Sequence, residues 1–475
     1  MAIPAAEPIA EPVADLARPR RFRRPGRFAG ALLATVTGLA VLSVGIVRTG
    51  SGLVGPPPGV AAGAPSGGSG APPSQPGGSL EPGASASGPA ASPGGSPVPG
   101  SSPTPPPPEP AVASLEVRLQ AALDRLRAKL GIPGVSASIV FPNGERWTGV
   151  SGLAGVASKT KVVPETAFAY ASVSKTFTSA LILQLVDEGR LRLSDPAAGV
   201  LPKLRLAIDR RITVGMLLNH TSGLADYFLN PKIDRPLQGG PATAWTIDRT
   251  LGYVGKRLSP PGATWHYSNT NYLLLGLIVE RLTGQTLAAA IRTRLLEPAG
   301  LGATWYQADG EPSRAPLAHG YRLPGTKVTV KPIDLADGSG LAPFRSVITA
   351  AAGAGSIAGT STDLATWARA LYTGRVLGPE GTALLLSGFS KTTSYAPGGA
   401  YGYGVQAFSI DGHPALGHSG RLLGFRSTVR HFPLDGLTIA VLTNQSRADP
   451  AVILRALLAE AQPVPRLCPL CAQPG

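Results

Sequence analysis

Ser172-Val173-Ser174-Lys175 opens an apolar segment, residues 176–186. Residues three apart on a helix share a face, so this spacing sets a hydroxyl beside an amine. A serine hydroxyl is a weak nucleophile at its own pKa. A desolvated lysine with a depressed pKa takes its proton. The spacing alone is common: a chain of 475 residues holds on the order of two such matches by chance. Ser158-Lys159-Thr160-Lys161 is one, and its context excludes it, because Pro164 disfavours helix at Val163. After Ser172 come Phe177, Ala180, Leu181, Leu185 and Val186, with no Gly or Pro before Gly189. That predicts a buried helix with Ser172 at its N-terminal end. The partial positive charge there favours an oxyanion and a neutral amine.

Two further segments hold polar groups suited to the same chemistry. Tyr267-Ser268-Asn269 follows the breaker Ser259-Pro260-Pro261-Gly262 and precedes a helical run, residues 272–282. A phenol near a cationic lysine shares or loses its proton and serves as acid or base. An amide two residues away would bind a substrate carbonyl. Taken alone, the segment reads more simply as a helix N-cap, with Asn269 or Thr270 capping and Tyr267 as filler. Gly417-His418-Ser419-Gly420 precedes Leu422, Gly424, Phe425 and residues 427–432. The alternation reads as strand, with Gly where a substrate backbone would approach. Such an edge would pair with a substrate amide, and a strand with a solvated His fits the same residues equally. No Lys-Ser-Gly or Lys-Thr-Gly occurs, so His418 would take the cationic position.

The order Ser-x-x-Lys, Tyr-x-Asn, His-x-Gly resembles the serine β-lactamase and penicillin-binding superfamily. The finer similarity is to class C β-lactamases and the D-Ala-D-Ala carboxypeptidases grouped with them. Residues 185–196 and 212–224 are similar to stretches that recur there, and the resemblance runs from about Ser114 to about Gln462. It implies Ser172 as the acylated nucleophile, Lys175 as proton acceptor and Tyr267 as proton shuttle. Asn269 would orient the substrate amide, and Ser419 would help to bind a substrate carboxylate. The backbone N–H groups of Ser172 and Arg421 would form the oxyanion hole. A His in the third motif departs from typical class C β-lactamases and looks more like some DD-peptidases, D-aminopeptidases and esterases. The Arg421 side chain reads equally as a recogniser of anionic substrate and as a solvated cation.

Those groups need a scaffold, and the chain supplies one after a long biased region. The net charge is +15, hydrophobic residues make up 43% and aromatic ones 6%, and Gly (60) and Pro (48) are enriched before residue 111. No recognition motif or basic stripe with interleaved aromatics accompanies the charge, so nucleic acid is not an expected partner. Abundant Arg, Ala, Gly and Pro fit a codon bias, and a basic ectodomain would favour an anionic wall. Cys468 and Cys471 are the two cysteines; a lone C-x-x-C completes no zinc site. No metal or cofactor is expected. The absence of Gly-x-Ser-x-Gly argues against an α/β-hydrolase.

Residues 1–27 read as an Arg-rich cytoplasmic tail and residues 28–47 as an uncharged apolar segment, about the length that spans a bilayer. Arginines before it place the remainder outside the cell. An uncleaved anchor is favoured over a signal peptide, the rival reading. Residues 48–113 lack the apolar content to fold and would act as a tether with a span of roughly 40–50 Å. The catalytic domain is expected over 114–463 and a tail over 464–475.

Within that domain, residues 115–130 predict a helix, and residues 135–150 a hairpin turning at Pro142-Asn143-Gly144. Residues 196–301 read as mostly helix and loop, and 302–355 resist assignment. A helix is expected at 361–373, capped by Ser361 or Thr362. Strands are expected at 403–410, 414–418, 425–432 and 437–442, and a closing helix at 450–461. The fold class is therefore α+β: an antiparallel sheet flanked by N- and C-terminal helices, with a helical insertion. The leading expectation is a membrane-tethered extracytoplasmic serine hydrolase acting on D-amino-acid peptides, peptidoglycan stems among them. β-Lactamase or esterase activity, and a penicillin- or wall-peptide-binding protein without turnover, are the alternatives.

Overall fold

The computed structural model describes residues 113–462, apart from 202, 311–312, 325–330 and 393–398. The arginine-rich segment, the apolar segment 28–47, the linker up to residue 112 and the Cys468–Cys471 tail lie outside the described residues. Among the described residues no single helix is long and apolar enough to cross a membrane.

The chain enters through α1 (Leu115–Leu130), which Ser114 caps by accepting from the Val117 N–H and which Gly131 ends in a left-handed conformation. A hairpin of β1 (Gly134–Val140) and β2 (Arg146–Gly155) follows, then the short β3 (Thr160–Lys161). Next come α2 (Ser174–Asp187), a long insertion containing α3 (Asn269–Thr283), and α4 (Ser361–Tyr372). The last part runs β4 (Ser390–Lys391), β5 (Ala400–Tyr401), β6 (Gln406–Ile410), β7 (His413–Leu422), β8 (Phe425–Phe432), β9 (Leu437–Thr443) and α5 (Ala451–Ala461). These nine strands form one sheet in the order β3-β2-β1-β9-β8-β7-β6-β5-β4. Its strands pair antiparallel throughout.

Central β9 is buried on both faces, and alternation divides its residues between two cores. Ile439 and Val441 pack with Leu119 and Leu123 of α1 and Leu454 and Leu457 of α5. Ala440 and Leu442 belong to the larger core, with Phe177, Leu181 and Leu185 of α2 and Leu364 and Leu371 of α4. Phe177 stacks on Trp367 of α4 at 4.0 Å between ring centroids. In α2 every residue but Gln184 and Asp187 is buried. A helix enclosed on nearly every side sits inside the protein, so its first turn is held by the packing around it.

The α+β expectation holds, with the first and last helices on one face of the sheet. Several details differ. The strand expected at 414–418 runs from His413 to Leu422, and the hairpin's second strand runs on to Gly155. Thr360, not Ser361 or Thr362, caps α4, its side chain accepting from the Asp363 N–H. The strand expected from Tyr403 starts at Gln406, because Gly404 has φ +84° and the Gly402 N–H turns back to the Val405 carbonyl. The unassigned stretch 302–355 contains a helix, Arg345–Ala351, buried after its first residue; its run of small and β-branched residues carries no helical period.

Candidate active site

Ser172 sits in a 3-10 turn, Ala171–Val173, that leads directly into α2. Ala171 is held at φ +49°, a conformation that non-glycine residues adopt at a cost and that concentrates at functional sites. Strand β7 fixes this turn from below: a Cβ on Gly420 would lie 2.3 Å from the Tyr170 carbonyl oxygen and 3.0 Å from the Ala171 Cβ. The glycine therefore serves contact between β7 and the nucleophile turn, rather than the approach of a substrate backbone.

Lys175 is fully buried. Its Nζ lies 3.2 Å from Ser172 Oγ, 2.7 Å from Asn269 Oδ1 and 2.7 Å from the Ala354 carbonyl oxygen. The last two atoms only accept. A neutral amine gives its two hydrogens to them and turns its lone pair to the Ser172 hydroxyl. Burial pushes the Lys175 pKa down to about 7, against the upward pull of the Asp226 carboxylate, so the base form is populated at neutral pH. Burial likewise raises Asp226, against the Phe228 N–H and Lys175.

Tyr267 and Asn269 stand at the start of α3. Ser268 occupies the N-cap position without a side-chain cap. Asn269 does not cap the helix: Oδ1 accepts from Lys175, and Nδ2 donates to Asp226 Oδ2 at 2.8 Å. One amide N–H remains for a substrate. The Tyr267 ring centroid lies 5.0 Å from Lys175 Nζ.

Segment 220–227 laces this helix start in place. The His220 carbonyl accepts from the His266 N–H, and His220 Nδ1 lies 3.2 Å from the Ser268 N–H donor and 3.1 Å from Asn271 Nδ2. Thr270 Oγ1 donates to the Ala225 carbonyl, and Ser222 Oγ to Asn271 Oδ1. His220 is wholly buried at φ +63°, 4.4 Å from the Tyr267 ring. Two donors on Nδ1 make it the neutral Nε2–H tautomer, and burial, with Lys175 next in effect, holds its pKa well below 6.5. Asp226 and His220 had no role in the sequence reading. The buried polar run His220-Thr221-Ser222-Gly223 was the available signal for one; Asp226 reads as a turn acid and offers none.

His418 faces the same region from β7 but does not supply the expected cation. It is wholly buried. Nδ1 meets its own neighbour's carbonyl, Ser419 O, at 2.6 Å, and Nε2 meets the Tyr401 hydroxyl at 2.9 Å. Burial first, then Lys175, keeps it neutral, its pKa well below 6.5. Ser419 points to the opposite face by strand alternation, where its hydroxyl is engaged by Arg430 at 2.7 Å and Gln406 at 3.2 Å. It has no free geometry for the expected carboxylate. The Ser419 N–H goes to Gln406 Oε1, away from β8. Arg421, two residues on, directs its N–H the same way. Among the described residues β6 pairs with β7 only as far as Gly417.

A buried base, a hydroxyl within reach of it and a phenol ring beside the amine make an acyl-transfer site. The Beta-lactamase family model matches residues 119–462. Penicillin-binding protein 4 of Amycolatopsis lactamdurans is 33% identical over 346 residues, covering 68% of this chain and 84% of that protein. A solved D-stereospecific amidohydrolase from Streptomyces sp. is similar with TM-score 0.63 at 28% identity, over 73% of this chain and 98% of that one. D-amino acid amidase from Ochrobactrum anthropi SV3 shares the fold, at TM-score 0.62 and 24% identity over the same shares. The chain belongs to the beta-lactamase family and is a serine hydrolase.

Proposed function

We propose that the protein hydrolyses D-amino-acid peptides or amides through an acyl-enzyme on Ser172. The observation that carries this is the arrangement of Lys175 Nζ, with two acceptor-only oxygens at 2.7 Å and Ser172 Oγ at 3.2 Å. Lys175 accepts the Ser172 proton as Oγ attacks the acyl carbonyl. The N–H groups of Ser172 and Arg421 stabilise the oxyanion. Tyr267 passes a proton to the leaving amine, whose C–N bond breaks, and water then releases the acid. The D-configured substrate is supported by the names of the amidohydrolase and amidase neighbours. The apolar segment 28–47 would tether the enzyme outside the membrane, where such peptides occur; alkaline phosphatase fusions before and after it report that orientation.

The test is incubation with a fluorescent penicillin, followed by mass spectrometry, and a panel of D-aminoacyl nitroanilides. Wild type carries an adduct on Ser172 and turns over a panel member. Ser172→Ala loses both by on the order of a thousandfold or more, with an unchanged melting curve. No adduct with any β-lactam or phosphonate probe overturns the reading. A second reading, a binding protein that acylates without turnover, draws on the name of the Amycolatopsis relative; a stable adduct with no product release would establish it.

A further inference from the structure

At the opposite end of α2 from Ser172 lies a groove of about 460 Å³ whose lining includes Arg146, Arg294, Arg369 and Arg375 and no carboxylate. Gln184, which also lines it, is twelve residues from Ser172, roughly 18 Å along a helix. The four guanidiniums come from separate elements: β2, the segment after α3, α4 and the loop beyond α4. Two are fixed by the protein. Arg369 donates to the carbonyls of Gly436 and Pro142 at 2.8 and 2.9 Å, and Arg294 pairs with Glu188 and donates to Gln184. The other two, Arg146 and Arg375, are exposed and make no side-chain hydrogen bond or ion pair among the described residues. Asp363 is the acid felt by Arg146; its Oδ2 accepts from the Ala303 N–H and Thr304 Oγ1, and it makes no ion pair with Arg146 among the described residues.

The C-terminal ends of α2 and α4 favour nearby cations, which accounts for Arg294 and Arg369. It does not account for a strand residue and a loop residue converging on them. Arg375 instead adds like charge: after burial it is what lowers the Arg369 pKa. Glu188 balances Arg294, whereas Arg146, Arg369 and Arg375 make no ion pair among the described residues, and like charges gathered in a concavity raise the local concentration of anions. The guanidinium fork matches phosphate oxygens in pairs.

We propose that this groove binds a multiply charged phosphate ligand, with Arg369 and Arg294 as the fixed donors and Arg146 and Arg375 closing on it. The test is calorimetric titration of the full chain with sodium pyrophosphate and, in a second arm, with a poly(glycerol phosphate) chain. Wild type binds, more weakly as salt rises. The double variant Arg146→Gln/Arg375→Gln changes exposed side chains, so its melting curve stays as wild type while affinity falls about tenfold or more. Tighter binding of the polymer per phosphate assigns the groove to polymer-linked phosphate, and equal binding to free phosphate. No heat of binding in either arm up to about 10 mM phosphate, or a double variant that binds like wild type, overturns the proposal.

Discussion

At the scale of single residues, the buried line Lys175–Asn269–Asp226 decides when the nucleophile is armed. Asp226 raises the proton affinity of the amine, so removing its charge lets Lys175 fall further below about 7. Activity that needs the neutral amine grows as pH passes that value. Asp226→Asn should therefore move the acid limb of kcat/KM to lower pH, by on the order of one unit. The maximal kcat should fall about tenfold or more, because the Asn269 Nδ2 and the Phe228 N–H now compete for one oxygen. A pH–rate profile on a D-aminoacyl nitroanilide checks it, and an unmoved acid limb would remove Asp226 from the electrostatics of the base. Ser172, Lys175, Tyr267 and Asn269 were legible in sequence because their spacing ties each to a helix start. Asp226 and His220 were not: they act on other side chains rather than on a substrate, so the polar run at His220 gave no role and nothing in its local pattern marks Asp226.

At the scale of elements, the site depends on how closely β7 can pass beneath the nucleophile turn. Ser427 Oγ of β8 donates to the Tyr170 carbonyl at 2.6 Å, and Gly420 leaves room for that contact. Gly420→Ala should cost about 1–3 kcal/mol through overpacking and slow penicillin labelling of Ser172, because the turn has to lift. Gly199→Ala, with open space around its Cβ, is the control expected to do neither. Urea unfolding and labelling rates read both effects; a Gly420→Ala protein with wild-type stability would mean that the strand and turn are not in contact. Elements with a clear period were visible beforehand, α1 and β8 to the residue. What stayed hidden was the segment 302–355. There, two-residue strands and a short buried helix take their shape from neighbours far along the chain, and local propensity contributes little. His418 misled for a related reason: its strand was evident, but its burial depends on Tyr401 from β5.

At the scale of the whole molecule, the same burial that creates a base writes a pH dependence into stability. His220, His418 and His431 are buried, and burial depresses all three, His431 to about 4. Their unfolded values lie near 6.5, so between roughly pH 4 and 6.5 the unfolded chain binds more protons than the folded one. Stability from these groups is full above 6.5 and is lost as pH falls. Asp226, Glu280 and Asp363, all raised by burial, oppose this at the acid end, between their unfolded values and their higher folded ones, so the climb is clearest toward neutrality. Lys175 extends the trend upward. Its folded value of about 7 lies below the unfolded 10.5, so stability continues to rise with pH above 7, on the order of 1.4 kcal/mol for each unit of the shift. Denaturant unfolding from pH 4 to 9 should give a climb through neutrality that continues beyond it. His431→Gln should flatten the acid part, and Lys175→Met, near in length and uncharged, should flatten the part above pH 7. A wild-type curve already flat between pH 7 and 9 would mean that the amine keeps its proton in the folded protein, leaving Ser172 without a base at neutral pH.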